Sequence, residues 1–152
     1  MQTLTAPTRL VLRLGLLGFL RITACAQVTP LGDAYTNTAN PATNFGDGTL
    51  LHVGATQITY IQFNLAALPA TASVSQATLK LYVNAVTAAG SFNVDYVDGA
   101  WAENSMDASN VPQAGAAMAS DVSVTAADKS QYILVNVPAA VRSPEAMAPS
   151  RG

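Results

Sequence analysis

Apolar and polar residues alternate most cleanly in one stretch of the chain, Ile58–Val83. In Tyr60–Leu65, Ile61, Phe63 and Leu65 alternate with Tyr60, Gln62 and Asn64. In Thr78–Val83, Leu79, Leu81 and Val83 alternate with Thr78, Lys80 and Tyr82. A period of two puts each apolar set on one face of a sheet. The stretch therefore predicts two half-buried strands, Ile58–Leu65 and Val74–Val83. The link Ala66–Gln76 carries Pro69 and small residues, which interrupt a strand.

The same pattern adds candidate strands at Leu31–Thr36, Thr49–Gly54, Ser91–Val97, Val122–Thr125 and Tyr132–Val137. Asn37–Asn44 consists of turn formers, and Phe45-Gly46-Asp47-Gly48 predicts a tight reversal, because glycine supplies the positive φ such turns use. Asp98–Gly115 reads as an irregular excursion through Trp101, Glu103 and Pro112. Short strands at regular spacing, without a helix-length periodic segment, point to an all-β fold: an antiparallel β-sandwich of jelly-roll type.

Composition sharpens this picture. At 152 residues, half of them apolar and 11% charged, the chain suits one domain with a real core. Met1–Ala26 has a basic lead with Arg9 and Arg13, an apolar run Leu14–Leu20 and small residues around Cys25, the order of a secretory signal peptide. That run is far shorter than the ~20 residues of a transmembrane helix. Cleavage after Ala24-Cys25-Ala26 would leave Gln27 first. Alternatively, Ile22-Thr23-Ala24-Cys25 resembles a lipoprotein box, with Cys25 lipidated and retained as an anchor. The expected layout is signal peptide 1–26, β-sandwich module 27–137 and a Pro/Ala/Ser-rich tail 138–152 predicted to be disordered.

Cys25 is the single cysteine, which excludes an intrachain disulfide and a CxxC metal site. From Gln27 onward four basic residues face nine acidic ones, a balance of −5. Such a surface repels nucleic acid and anionic membranes. It is also a poor partner for acidic polysaccharides.

An ordered series of short motifs carries a family likeness: Asp33-Ala34-Tyr35, Asn40-Pro41, Asn44-Phe45-Gly46 and Leu51-His52-Val53-Gly54 come first. Tyr60–Leu65, Leu68-Pro69, Val74–Val83, Trp101-Ala102-Glu103 and Asn110-Val111-Pro112 follow. Over about Val28–Val137 the chain resembles the DNRLRE-type module, also grouped as carbohydrate-binding module family 96. Such modules occur on bacterial and archaeal extracellular proteins, including polysaccharide-degrading enzymes. The resemblance implies a secreted β-sandwich that binds polysaccharide.

Two departures qualify it. Where the family often has a pattern like LRFDL, this chain has neutral Gln62 and Asn64, which disfavours anionic glycans such as alginate. Similar modules continue with further strands past the one resembling Tyr132–Val137, so the chain reads as a truncated or frame-shifted copy missing its last strands.

Candidate chemistry is sparse. Trp101 could stack on a sugar ring with Glu103 accepting hydroxyl hydrogens, or simply anchor its loop on the sandwich edge. Tyr60, Gln62, Asn64, Lys80 and Tyr82 are expected on the polar-facing registers of the two central strands, lining one sheet face as a glycan groove, or forming a core edge or plain solvated surface. Asp33, Asp47, Asp95 and Asp98 could hold a structural Ca²⁺, although turn duty explains Asp47 and Asp98, each being followed by glycine. His52 reads as a half-exposed strand residue, since no G-x-S-x-G motif accompanies it. No pair of carboxylates stands out for glycoside hydrolysis. The leading expectation is a non-catalytic polysaccharide-binding module, attached to or derived from a larger extracellular protein. A structural or adhesive cell-surface module without a sugar site is the contrasting class, and a fragment of a carbohydrate-active enzyme a third.

Overall fold

The computed structural model describes residues 26–68 and 74–138. The expected signal segment through Cys25, Pro69 of the central link, and the tail from residue 139 lie outside the described residues. Six strands follow in order: β1 (Pro30–Asn37), β2 (Gln57–Phe63), β3 (Ala77–Val83), β4 (Gly90–Asp98), β5 (Gln113–Val124) and β6 (Gln131–Val137). They form three antiparallel two-stranded sheets, β1–β2, β3–β6 and β4–β5. The fold is all-β, as the alternation predicts, and consistent with a sandwich that is not closed.

β1 pairs with β2 so that Ala34 faces Tyr60 and Tyr35 faces Thr59, with a bulge between Pro30 and Gly32. Ala34, Thr36 and Tyr60 are buried. Ala34, Tyr60 and Met106 form one cluster, against which Val97 and Trp101 pack. The expectation that Tyr60 lies on an open polar face is thus corrected. The excursion 99–112 folds over the Tyr60 side of β2 and turns it into the core. Tyrosine suits such a place because its body is apolar and its hydroxyl finds a partner, here the Thr36 side chain. On the opposite face the Tyr35 ring stacks on Phe45, centroids 4.5 Å apart, and meets His52 at 4.7 Å.

Thr49–Gly54 is not a strand. Gly54 and Gln57 exchange two backbone hydrogen bonds, at 3.0 and 3.2 Å, and form an isolated bridge. That register would next set His52 opposite Thr59, where the Thr59 hydroxyl, rather than a main-chain N–H, binds the His52 carbonyl at 2.8 Å. Leu50, Leu51 and Val53 stay exposed.

β3 and β6 pair without irregularity from Ala77↔Val137 to Val83↔Gln131. Strands β2 and β3 therefore belong to different sheets and do not share a face. β4 and β5 form a longer ribbon with three register shifts. At one of them Asp121 adopts φ 55°, and its N–H donates to Asn93 Oδ1 at 3.0 Å. The expected strand Val122–Thr125 is only the end of β5.

Candidate functional site

Two surfaces present chemistry. The first is built by the loop that follows β4. Asn44 Nδ2 donates to the Glu103 and Met106 carbonyls, both at 2.7 Å, while its Oδ1 accepts from Gly46 N–H at 3.2 Å. Gly46 is needed for this fit, since a Cβ there would collide with the Glu103 backbone oxygen. Ala108 N–H donates to the Pro41 carbonyl at 3.0 Å. The loop itself is closed by Asn110, whose Nδ2 donates to the Ser105 carbonyl at 2.9 Å and whose Oδ1 accepts from Asp107 N–H at 2.8 Å. Held this way, Trp101 meets Tyr60 edge-on, centroids 6.2 Å apart. It lines a hollow of about 410 Å³ together with Ala100, Ala102, Ser105, Met106 and Asn110.

The second surface is the outward face of β3–β6. Leu79, Leu81, Ile133 and Val135 share the inward register, while Thr78, Lys80, Tyr82, Tyr132, Leu134 and Asn136 share the other. Tyr82 (53%), Tyr132 (59%) and Leu134 (67%) are exposed. The two tyrosine rings meet edge to face with centroids 5.1 Å apart, and Lys80 Nζ lies 4.1 Å above the Tyr132 ring. Asn136 Oδ1 accepts from Gln76 Nε2 and Thr78 Oγ1 at 3.3 and 3.1 Å. Its carbonyl oxygen thereby faces its neighbours and its amide hydrogens are left for solvent or ligand.

The model of carbohydrate-binding module family 96 matches residues 24–150. The chain belongs to carbohydrate-binding module family 96. Among curated proteins none shows a significant match to the sequence. Membership in family 96 makes carbohydrate the class of ligand to consider, and gives its short motifs a physical meaning here. Asn44-Phe45-Gly46 and Trp101-Ala102-Glu103 are two halves of one interlock, and Asn110 fastens the turn between them and β5.

The structure divides the sequence-predicted residues of this family 96 module. Lys80 and Tyr82 stand together on the open face of β3. Tyr60 is buried in the other sheet, and Gln62, half-buried, pairs with Gly32. Asn64 caps the 3₁₀ turn Leu65–Ala67 by accepting from Ala66 N–H at 3.0 Å. The common face expected for these five residues is therefore corrected: it would need β2 and β3 to be neighbours, and each pairs elsewhere. Trp101 and Glu103 also part company, because Glu103 turns its side chain toward Gly32 and Gly46 while Trp101 lines the hollow.

Of the aspartates, Asp33 and Asp95 lie on β1 and β4, and Asp47 on the exposed turn after Gly46. Asp98 ends β4 opposite Gln113; its side chain is outside the described part. Among the described residues no three His, Cys, Asp or Glu side chains converge as a metal site, and no helix is long and apolar enough to cross a membrane. Sequence reasoning missed Tyr132, Leu134 and Asn136. Their alternation with Ile133, Val135 and Val137 marks one face, but only pairing with β3 shows what that face adjoins.

Proposed function

We propose that this chain is a secreted, non-catalytic module that binds a neutral or weakly charged polysaccharide on the outward face of β3–β6. The observation that carries the reading is the Tyr82–Tyr132 pair, more than half exposed on a sheet face beside an ammonium group. Contiguous exposed apolar patches mark contact surfaces, and Tyr82, Tyr132 and Leu134 are exposed together on this face. Lys80 covers one face of Tyr132, so Tyr82 is the open ring on which the C–H face of a sugar stacks. Lys80 and the Asn136 amide then donate to its hydroxyls. Export is supported by the leader-like order of residues 1–26 and by the extracellular habit of such modules, with Cys25 offering a lipid anchor as the alternative to free release. Attachment to a larger extracellular protein fits the same habit.

The test is pull-down of residues 27–152 on insoluble and soluble neutral polysaccharides. Binding is expected to fall at least tenfold in Tyr82→Ala and Lys80→Ala, corresponding to about 1.4 kcal/mol, with far-UV circular dichroism unchanged. Undiminished binding in both variants refutes this site. One observation favours a second reading, an adhesive module without a sugar site: Leu134, beside Tyr132, is 67% exposed and has nothing to offer a hydroxyl. Loss of protein–protein association in Leu134→Ser, with no glycan retained by the parent chain, would select it.

A further inference from the structure

The Trp101 hollow is separate from the β3–β6 face and has its own chemistry. Its volume of about 410 Å³ falls in the roughly 300–1,000 Å³ range of small-molecule sites. Met106, 2% exposed, closes its base, and Ala100 and Ala102 keep its walls low beside the indole ring. The edge-on contact with Tyr60 fixes the orientation of that ring before any ligand arrives, which lowers the ordering cost of binding.

The two polar side chains of the lining are equally fixed. Asn110 spends one Nδ2 hydrogen on the Ser105 carbonyl and one Oδ1 lone pair on Asp107 N–H. Ser105 Oγ donates to the Ala102 carbonyl at 3.4 Å. What remains is one amide hydrogen, one amide lone pair and the serine lone pairs, a mixed set of donor and acceptors that suits hydroxyl groups, which are both. Among the described residues no charged side chain lines the hollow.

We infer that this hollow is a second carbohydrate subsite, which takes a single neutral hexopyranose at a chain end: the ring stacks on Trp101 and its hydroxyls pair with Ser105 and Asn110. The choice of a sugar rests on the carbohydrate-binding reading above, but the subsite does not depend on the β3–β6 face. The hollow is confined to one loop and so contacts few rings, whereas a sheet face accepts a chain lengthwise. The two together would hold one polysaccharide at an end and another along its length.

Trp101 is the single tryptophan, so tryptophan emission reports on this site alone. The full chain is titrated with the methyl glycosides of β-D-glucose, β-D-galactose and α-D-mannose to about 50 mM, well above the ~1 mM dissociation constant that corresponds to about 4 kcal/mol of binding. A saturable emission shift with at least one glycoside is expected. It should weaken at least tenfold in Ala102→Leu, which fills the hollow, and about fivefold in Ser105→Ala, which removes a pairing group. It should persist in Tyr82→Ala, which separates failure of the β3–β6 site from failure of this one. Circular dichroism establishes that each variant is folded. No saturable shift with any of the three glycosides, or a shift that both hollow variants leave unchanged, overturns the inference.

Discussion

Asn44 shows how much one side chain carries when a fold lacks a closed sheet. Its amide group grips two carbonyls of the Trp101 loop and its oxygen holds Gly46. Asn44→Ala leaves these groups to water or to nothing, and is expected to cost about 1–3 kcal/mol in urea titrations followed by Trp101 emission. Asn44→Asp keeps the acceptor for Gly46 but sets a carboxylate against two carbonyl oxygens, so its loss should equal or exceed that of alanine. A near-native Asp variant would show that the Gly46 bond, and not the clamp, is what matters. Gly46→Ala forces the Glu103 backbone to move and should cost about 1–3 kcal/mol by overpacking.

Tyr60 gives the residue scale a pH dependence. Burial raises its pKa above the usual 10.0, opposed by the Thr36 hydroxyl. A folded pKa above the unfolded one means that its contribution is complete below about pH 10 and is lost as pH rises through the folded value. Tyr60→Phe should remove this alkaline loss while costing about 1 kcal/mol at neutral pH, where Thr36 loses its partner. Denaturation midpoints measured from pH 7 to 11 check both, and a Phe variant as base-sensitive as the parent would contradict them.

At the scale of elements, one of the three register shifts of the β4–β5 ribbon sets a residue at positive φ. Asp121 sits in the left-handed region, φ 55°, pinned by Asn93. Short polar residues and glycine tolerate that region and β-branched ones do not. Asp121→Gly should leave the melting temperature within a degree or two of the parent, while Asp121→Val should lower stability by about 1–2 kcal/mol. Equal melting temperatures would mean that the bulge relaxes freely. The ribbon also marks the limit of what the chain discloses. Strands β1, β2, β4 and β6 follow from local alternation nearly to the residue. Most of β5 does not, because Gln113–Ser120 (QAGAAMAS) lacks the β-branched and aromatic residues that signal a strand. It is extended because β4 pairs with it. Thr49–Gly54 fails in the opposite sense: its composition suits a strand, yet only Gly54 finds a backbone partner. The candidate site divides in the same way. Tyr82 and Lys80 were visible from the period of β3, but Tyr132 joins them through a pairing some fifty residues away in sequence, and Tyr60 was turned inward by a loop whose course no periodicity records.

For the whole molecule, this architecture implies uneven stability. The main cluster of buried side chains, Ala34, Tyr60 and Met106 with Val97 and Trp101 against it, lies on β1–β2; Val135 is buried separately on β6. Among the described residues, hydrogen bonds join strands within each two-stranded sheet and not between sheets, so the sheets depend on side-chain and loop contacts to act together. Amide exchange slows where opening a bond also exposes apolar surface. The slowest amides should therefore be those of β1–β2 around Ala34, Thr36 and Tyr60, with β3–β6 next near Val135. The first part of β5, whose Ala114, Gly115, Ala116 and Ala117 are exposed, should exchange fastest among the strands. Hydrogen–deuterium exchange read by mass spectrometry resolves these segments. Because Asn44 ties the Trp101 loop to β1–β2, Asn44→Ala should speed exchange in β1, β2 and residues 101–110 while leaving β3–β6 at its parent rate. If β3–β6 accelerates to the same degree, the three sheets open as one cooperative unit, and a face on β3–β6 cannot be treated as independent of the Trp101 hollow.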